Sequence, residues 1–318
     1  MAMKTLVKVS VGLLLALVVA TAAGIAVSWA PDQSVSQLTA RWAPAPSQFI
    51  GIEGMQVHVR DEGPRDDPQP IVLLHGTSAS LHTWDGWVAA LKGQRRVIRL
   101  DLPGFGLTGP FPDHDYTMAH YVRFMGAVLD HFGVQHGVLV GNSFGGALAW
   151  ETALVQPQRV DKLILVDAAG YAFKADSVPL GFRLAQMPLL QPLFRNLLPR
   201  AMIESSVRNV YGDPSKVSPA LIDRYYDLTL RAGNRPALGE RFRQARAGEH
   251  SDQIKRITQP TLILWGERDH LIPLDYGRQF HADIAGSQLV VFDGLGHVPH
   301  EEDPARTVAA IQPFLGLK

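Results

Sequence analysis

Six short apolar runs constrain this chain more than any other feature. They read PIVLLHG (70–76), RRVIRLDLPGFG (95–106), GVLVGN (137–142), KLILVDAAG (162–170), PTLILWGERD (260–269) and SQLVVFDGLGH (287–297). Each is apolar on successive rather than alternate residues, broken only by Arg99 in the second, and each is closed by glycine or aspartate. A strand of that kind is covered on both faces. Helical patterns lie between the runs. Thr117 is placed to cap MAHYVRFMGAVLDHFG, where Tyr121, Met125, Val128 and Phe132 recur at helical spacing. Further helices are expected over Phe144–Gln156, Asp275–Ile284 and Asp303–Phe314. Strand–helix alternation with buried strands predicts an α/β fold, a mostly parallel sheet with helices on both faces. Ahead of it, FIGIEGMQVHVRDEG (49–63) reads as a hairpin turning near Glu53-Gly54, which brings the strands to eight.

Two regions depart from this pattern. Between Gly170 and Ile257 there is no strong strand signal, only prolines, arginines and short helical patterns such as Leu190, Leu193, Phe194, Leu197 and Leu198. Residues 171–256 are therefore read as a helical cap inserted between two halves of the core, 49–170 and 257–318. At the other extreme, Val9 to Ala30 carries no charge, and about 20 such residues span a bilayer. Lys4 and Lys8 precede it, which predicts an anchor over residues 1–30 with the rest of the chain exported. The competing reading is a cleaved signal peptide and a secreted protein, for which Ala20-Thr21-Ala22 has suitable small-residue spacing. Residues 31–48, rich in Pro, Ala, Ser and Gln, read as a linker or extended arm.

The 318 residues are 46% hydrophobic, ample for a filled core, and 30 basic residues balance 30 acidic ones, so the totals imply no nucleic-acid partner. The absence of cysteine excludes disulfides, thiol nucleophiles and thiolate metal sites.

Chemistry concentrates where the runs end. Gly141-Asn142-Ser143-Phe144-Gly145 fits G-x-S-x-G, directly after a strand and opening a helix, as a nucleophile elbow requires. An ordinary serine N-cap would also satisfy the local pattern. A serine hydroxyl needs a base. His297 follows the last run, on the sheet edge where sites collect; His300 is its competitor, placed second because it heads into a helix cap. Asp269 follows the preceding run and can orient the imidazole. Asp167 is an alternative acid with a strand-end role as its simpler explanation, and Glu267 points differently. The chain order Ser143, Asp269, His297 is the order expected of triad partners that follow a nucleophile elbow. The oxyanion donors are expected from the N–H of Phe144 and of Thr77, with Gly76 allowing close approach. His75 is read as a loop brace, Asp101 as a turn brace. Gly76, Asn142, Phe105 and Phe173 are candidates for the substrate pocket.

LLHGTSASLHTW, DLPGFGLT, GNSFGG, WGERDHLIP and GLGHVPHEEDP, in this order, resemble the α/β-hydrolase fold family, in particular its lipase, esterase and C–C hydrolase group. The resemblance runs from Phe49 to the C-terminus, with the cap similar only in position and helical character. It implies an eight-stranded, mostly parallel sheet, a Ser143–His297–Asp269 triad, an oxyanion hole at Thr77 and Phe144, and no metal or organic cofactor. The serine argues against related aspartate-nucleophile enzymes. His-Gly-Thr-Ser departs from the His-Gly-Gly-Gly of one lipase branch, and Asn142 is compatible with both C–C hydrolases and esterases. The leading expectation is hydrolysis of a small-molecule carboxylic ester with an apolar acyl or alcohol part. The alternatives are C–C bond or lactone hydrolysis by the same triad, and a catalytically inactive membrane-tethered binding module.

Overall fold

The structure is a computed structural model describing residues 2–187, 189 and 195–317. Helix α1 (Ala2–Ser28) and a short α2 (Val35–Trp42) precede the sheet. The strands are β1 (Gln48–Ile52), β2 (Met55–Glu62), β3 (Ile71–Leu74), β4 (Val97–Leu100), β5 (Gly137–Asn142), β6 (Val160–Val166), β7 (Thr261–Gly266) and β8 (Gln288–Phe292). They form one sheet in the order β1-β2-β4-β3-β5-β6-β7-β8. The pairs from β4 through β8 are parallel; β1–β2 and β2–β4 are antiparallel. The β1–β2 hairpin turns at Glu53 and Gly54, both at positive φ (48° and 77°), the backbone that suits a two-residue hairpin turn.

The helices of the core are α3 (Asp85–Leu91), α4 (Met118–His131), α5 (Phe144–Val155), α10 (Leu274–Asp283), a single-turn α11 (Pro299–Glu302) and α12 (Pro304–Leu315); the helices between α5 and α10 belong to the cap. The apolar runs are continuous because alternate residues feed separate cores on the two faces. Val72 and Leu74 of β3 pack with Tyr121 and Met125 of α4, Leu148 of α5 and Phe280 of α10. Ile71 and Leu73 pack instead with Trp87 and Val88 of α3 and with Val308 and Ile311 of α12. Thr117 caps α4, its hydroxyl accepting from His120 N–H.

Between β6 and β7 the chain forms the cap helices α6 (Leu180–Ala185), α7 (Arg200–Val210), α8 (Pro219–Thr229) and α9 (Asn234–Gln244). Of the apolar stripe expected here, Leu190, Leu193 and Phe194 lie outside the described residues. Leu197 bridges to Trp29 and Leu198 is buried.

Residues Ser10–Ser28 of α1 have a mean hydropathy of 2.4 and none of them is buried. The helix ends on the cap: Ala30 N–H donates to Asn196 O and Leu198 N–H to Ser28 O, each at 2.8 Å. The stretch 31–48, expected as a linker, is instead ordered and packed. Ser34 forms a capping box with Gln37, Leu38 buries beside Leu107 and Leu228, and Arg41 pairs with Asp223 and Asp227 of α8. Pro and Ala suggested an extended arm, but one leucine on a capped turn with an apolar seat is enough to dock it.

Candidate active site

Ser143 sits between β5 and α5 at φ 55°, ψ −117°, a sparsely populated region held only where the surroundings over-determine it. Its N–H donates to Val166 O, and its carbonyl accepts from Ala147 and Ala169. The two glycines of the motif are required by contact. A Cβ on Gly141 would lie 2.1 Å from Gly145 O, and one on Gly145 would lie 2.3 Å from Leu74 O. The elbow therefore folds back against itself and against the end of β3. Phe144 is the first residue of α5, so its N–H lacks an intrahelical partner.

The loop after β3 brings Gly76 and Thr77 to the elbow. A Cβ on Gly76 would meet Asn142 Oδ1 at 2.8 Å and Ser143 Cβ at 3.2 Å, which is the close approach the glycine permits. His75 braces this loop: its Nδ1 donates to Gly76 O and its Nε2 accepts from Leu102 N–H. Burial lowers the pKa of His75, consistent with a neutral ring that both donates and accepts. Asp101 braces the next loop, accepting from Leu81 and Leu107 N–H and from His58 Nδ1, all at 2.7 Å.

His297 and Asp269 converge from the loops after β8 and β7. His297 Nδ1 donates to Asp269 Oδ2 at 2.6 Å, while Asp269 Oδ1 accepts from Leu271 and Ile272 N–H at 2.8 and 2.9 Å. His297 is held by its own N–H on Val210 O, and its carbonyl accepts from the Asn142 side chain. Asn142 thus ties the residue before the serine to the histidine loop. The Nε2 atom of His297 is buried without a hydrogen-bond partner among the described residues, Ser143 included. Ser143 and His297 nonetheless line one cavity, and such bonds commonly tighten only with substrate bound.

His300 turns away from that cavity. Its ring lies against Trp84 at 4.0 Å between centroids and its Nε2 reaches Thr83 Oγ1. Burial, with His297 and Arg224 adding to it, pushes its pKa well down. Asp167 is unexpectedly close to the pair. At φ 44° and fully buried, it accepts Gly266 N–H on Oδ1, and its Oδ2 has no hydrogen-bond partner among the described residues. One ligand-type atom from each of Asp167, Asp269 and His297 falls within 4.8 Å of the others. Burial first and the Asp269 carboxylate second raise Asp167 well above the ordinary carboxylate range. Two buried carboxyls at this spacing do not both ionise. Asp167, which burial and its neighbour raise, is the one that holds the proton.

By distance, Asp167, Asp269 and His297, and separately Asp113, Asp115 and His120, are near enough to share a cation. In the first set both Asp269 oxygens and His297 Nδ1 are already engaged. In the second, His120 Nδ1 bonds Asp115 O and its Nε2 bonds Glu53.

The cavity measures about 300 Å³ and is mostly apolar. Gly76, Thr77, Asn142, Ser143 and His297 form its floor; Met202, Ile203 and Val207 of α7 and Leu238 of α9 roof it. Two pocket candidates do not belong there. Phe105 is buried under His75 and Phe144 and borders only a neighbouring void of about 30 Å³, because the Pro-Gly turn directs its ring into the core. Phe173 packs on Tyr276 instead. Two residues with no sequence signal also matter. Glu302 accepts from Gly212, Asp213 and Gly296 N–H, joining cap to histidine loop. Arg241 of α9 donates to the Thr77 hydroxyl.

The family model described as the alpha/beta hydrolase fold matches residues 69–304. This chain belongs to the α/β-hydrolase fold family. Among the relatives of this α/β hydrolase is a 2-hydroxy-6-oxo-2,4-heptadienoate hydrolase of Pseudomonas putida. It is 31% identical over 275 residues, covering 83% of this chain and 94% of that protein. A solved meta-cleavage product hydrolase from Pseudomonas fluorescens is 27% identical with a TM-score of 0.72, covering 86% of this chain and 97% of that one. A bacterial membrane phospholipase A shares the fold at 23% identity and a TM-score of 0.74, covering 97% of this chain and 98% of that one.

Proposed function

We propose that this α/β hydrolase is a serine hydrolase that cleaves a carboxylic ester with an apolar acyl or alcohol part. Ser143 attacks the ester carbonyl while His297 Nε2 takes its proton. Asp269 holds the imidazole in the required tautomer and stabilises its charged form. The oxygen anion that develops is received by the N–H groups of Thr77 and Phe144, each worth about 10²–10³ in rate. The imidazolium then protonates the leaving alcohol, and water, activated by the same histidine, releases the acyl group as its acid.

One observation carries the choice of an ester with an apolar part. The roof of the cavity is aliphatic, and the chain leaving α1 is hydrogen-bonded to the cap at Leu198, a residue that lines the same cavity. If α1 is a membrane anchor, with Lys4 and Lys8 on the cytoplasmic side and the core exported, the cavity wall adjoins the bilayer. The solved membrane phospholipase A, matched along nearly the whole chain, supports this reading.

The second reading is hydrolysis of a carbon–carbon bond next to a ketone, favoured by the names of the relatives from Pseudomonas. Substrates of that kind carry a carboxylate. Of the cap arginines, Arg183 is exposed, Arg208 is engaged by Glu204 and Pro214 O, and Arg224 is paired with Glu301. Arg195 and Arg235 border the cavity, Arg235 being paired with Asp32.

The test uses p-nitrophenyl esters of rising chain length beside a vinylogous diketone, with a fluorophosphonate probe to report a live serine. The expected result is ester turnover and probe labelling in the wild type, and loss of both in Ser143→Ala, by up to about 10⁶ in kcat. Turnover of the diketone alone refutes the ester reading, and an unlabelled wild-type protein refutes both.

A further inference from the structure

Arg241 stands in a setting arginine rarely occupies. It is 7% exposed, yet no carboxylate among the described residues pairs with it. Among the described residues Tyr121 is the titratable side chain that acts on it, and its hydroxyl donates to Pro103 O. The Nε of Arg241 is buried without a hydrogen-bond partner among the described residues. What the guanidinium does touch is specific. Nη2 donates to Thr77 Oγ1 at 2.7 Å. The guanidinium carbon lies 3.8 Å from the ring centroid of Phe144 and 5.8 Å from that of Phe105. Thr77 and Phe144 are the two residues whose N–H groups are assigned to the oxyanion. One buried cation therefore backs both, from a helix of the cap.

A buried cation without a counter-ion is costly, and neutral ring faces offset only part of that cost. The same low dielectric that makes the charge costly amplifies its attraction for an anion nearby. Among the described residues no carboxylate supplies such an anion to Arg241. During the reaction one forms, at the N–H groups of Thr77 and Phe144.

We propose that Arg241 is a positioning residue that fixes the Thr77 loop and supplies a buried positive charge to stabilise the oxyanion. The proposal rests on the serine-hydrolase reading above and not on which bond is broken. Charge stabilisation confined to the transition state lowers the barrier without tightening substrate binding. At an effective dielectric suited to a partly buried site, a unit charge one residue behind the anion is worth on the order of 10- to 100-fold in rate. Lysine keeps the charge and loses the planar stack; methionine keeps the bulk and loses the charge.

The experiment uses the full chain in detergent micelles and compares wild type, Arg241→Lys and Arg241→Met, with Arg241→Gln replacing the methionine variant should it not fold. Two readouts are taken: kcat and KM on p-nitrophenyl butyrate, and the rate of Ser143 phosphonylation by a fluorophosphonate, which also passes through a charged oxygen. The expected result is a fall of about 10- to 100-fold in kcat and in phosphonylation rate for Arg241→Met, with KM unchanged within about twofold. Arg241→Lys is expected to retain both rates within about fivefold. The proposal is overturned if Arg241→Met keeps wild-type rates, or if the lysine and methionine variants fall equally, since shape rather than charge then matters. Phosphonylation reads Arg241 even without ester turnover. A wild type that labels but does not cleave the ester counts against the ester reading alone.

Discussion

Replacing Asp167 with asparagine isolates the proton that this buried carboxyl is argued to hold. Asparagine preserves size and can accept Gly266 N–H on its Oδ1 as Asp167 does at 2.9 Å. It cannot ionise. The sign follows from linkage. Burial and Asp269 raise the folded-state pKa of Asp167, so above about pH 4 the folded protein retains a proton that the unfolded chain has released. Stability contributed by this group is complete below about pH 4 and falls as pH rises toward the folded-state value. The loss is about 1.4 kcal/mol for each pH unit inside that window. Asp167→Asn removes the slope. The variant is therefore expected to gain stability over the wild type by about 1.4 kcal/mol per pH unit as pH increases above 4. Urea unfolding of both proteins at half-unit steps from pH 4 to 7 measures this. A stability difference independent of pH refutes the assignment of the proton to Asp167. In the same preparation, activity of Asp167→Asn is expected to stay within a few-fold of wild type, whereas Asp269→Asn loses about 10⁴ in kcat by favouring the wrong tautomer.

Two further outcomes follow from contacts in the elbow and the arm. Gly145→Ala places a methyl 2.3 Å from Leu74 O and 2.6 Å from His75 O. The expected cost is about 1–3 kcal/mol in stability and, through a displaced serine, about 10² in rate; thermal melts and fluorophosphonate labelling check both. Deleting residues 1–28 is expected to leave the urea midpoint unchanged. Deleting 1–47 also removes Leu38, 3% exposed, and lowers stability by about 1.5–3 kcal/mol; equal midpoints for the two truncations contradict a structural role for the arm.

What could be read in the sequence was whatever repeats along it. Continuous apolar runs at 70–76 or 260–269 declare strands buried on both faces. The glycines at 141 and 145 declare a turn with no room for a side chain. Ser143, Asp269 and His297 stand just past strand ends, so the sheet itself brings them to one edge. The features that escaped are contacts between positions with no periodic relation. Arg241 meets Thr77 across 164 residues and Asn142 meets the His297 carbonyl across 155. The packing of Leu38 depends on a seat made by Leu107 and Leu228, and no local pattern in PDQSVSQLTARWAPAPSQ announces it. Asp167 looked like a strand-end residue and is one; its pairing with Asp269 arises because β6 and β7 are neighbours in register.

The carboxylate of Glu302 has a mechanical meaning. It grips Gly212 and Asp213 of the cap and Gly296 beside the histidine with the same two oxygens, and Val210 holds the His297 backbone from the cap side. The roof is thus moored at its α7–α8 corner to the loop that carries the imidazole. Lifting that corner would shift the His297 ring relative to Ser143, and with it the proton transfer proposed between them.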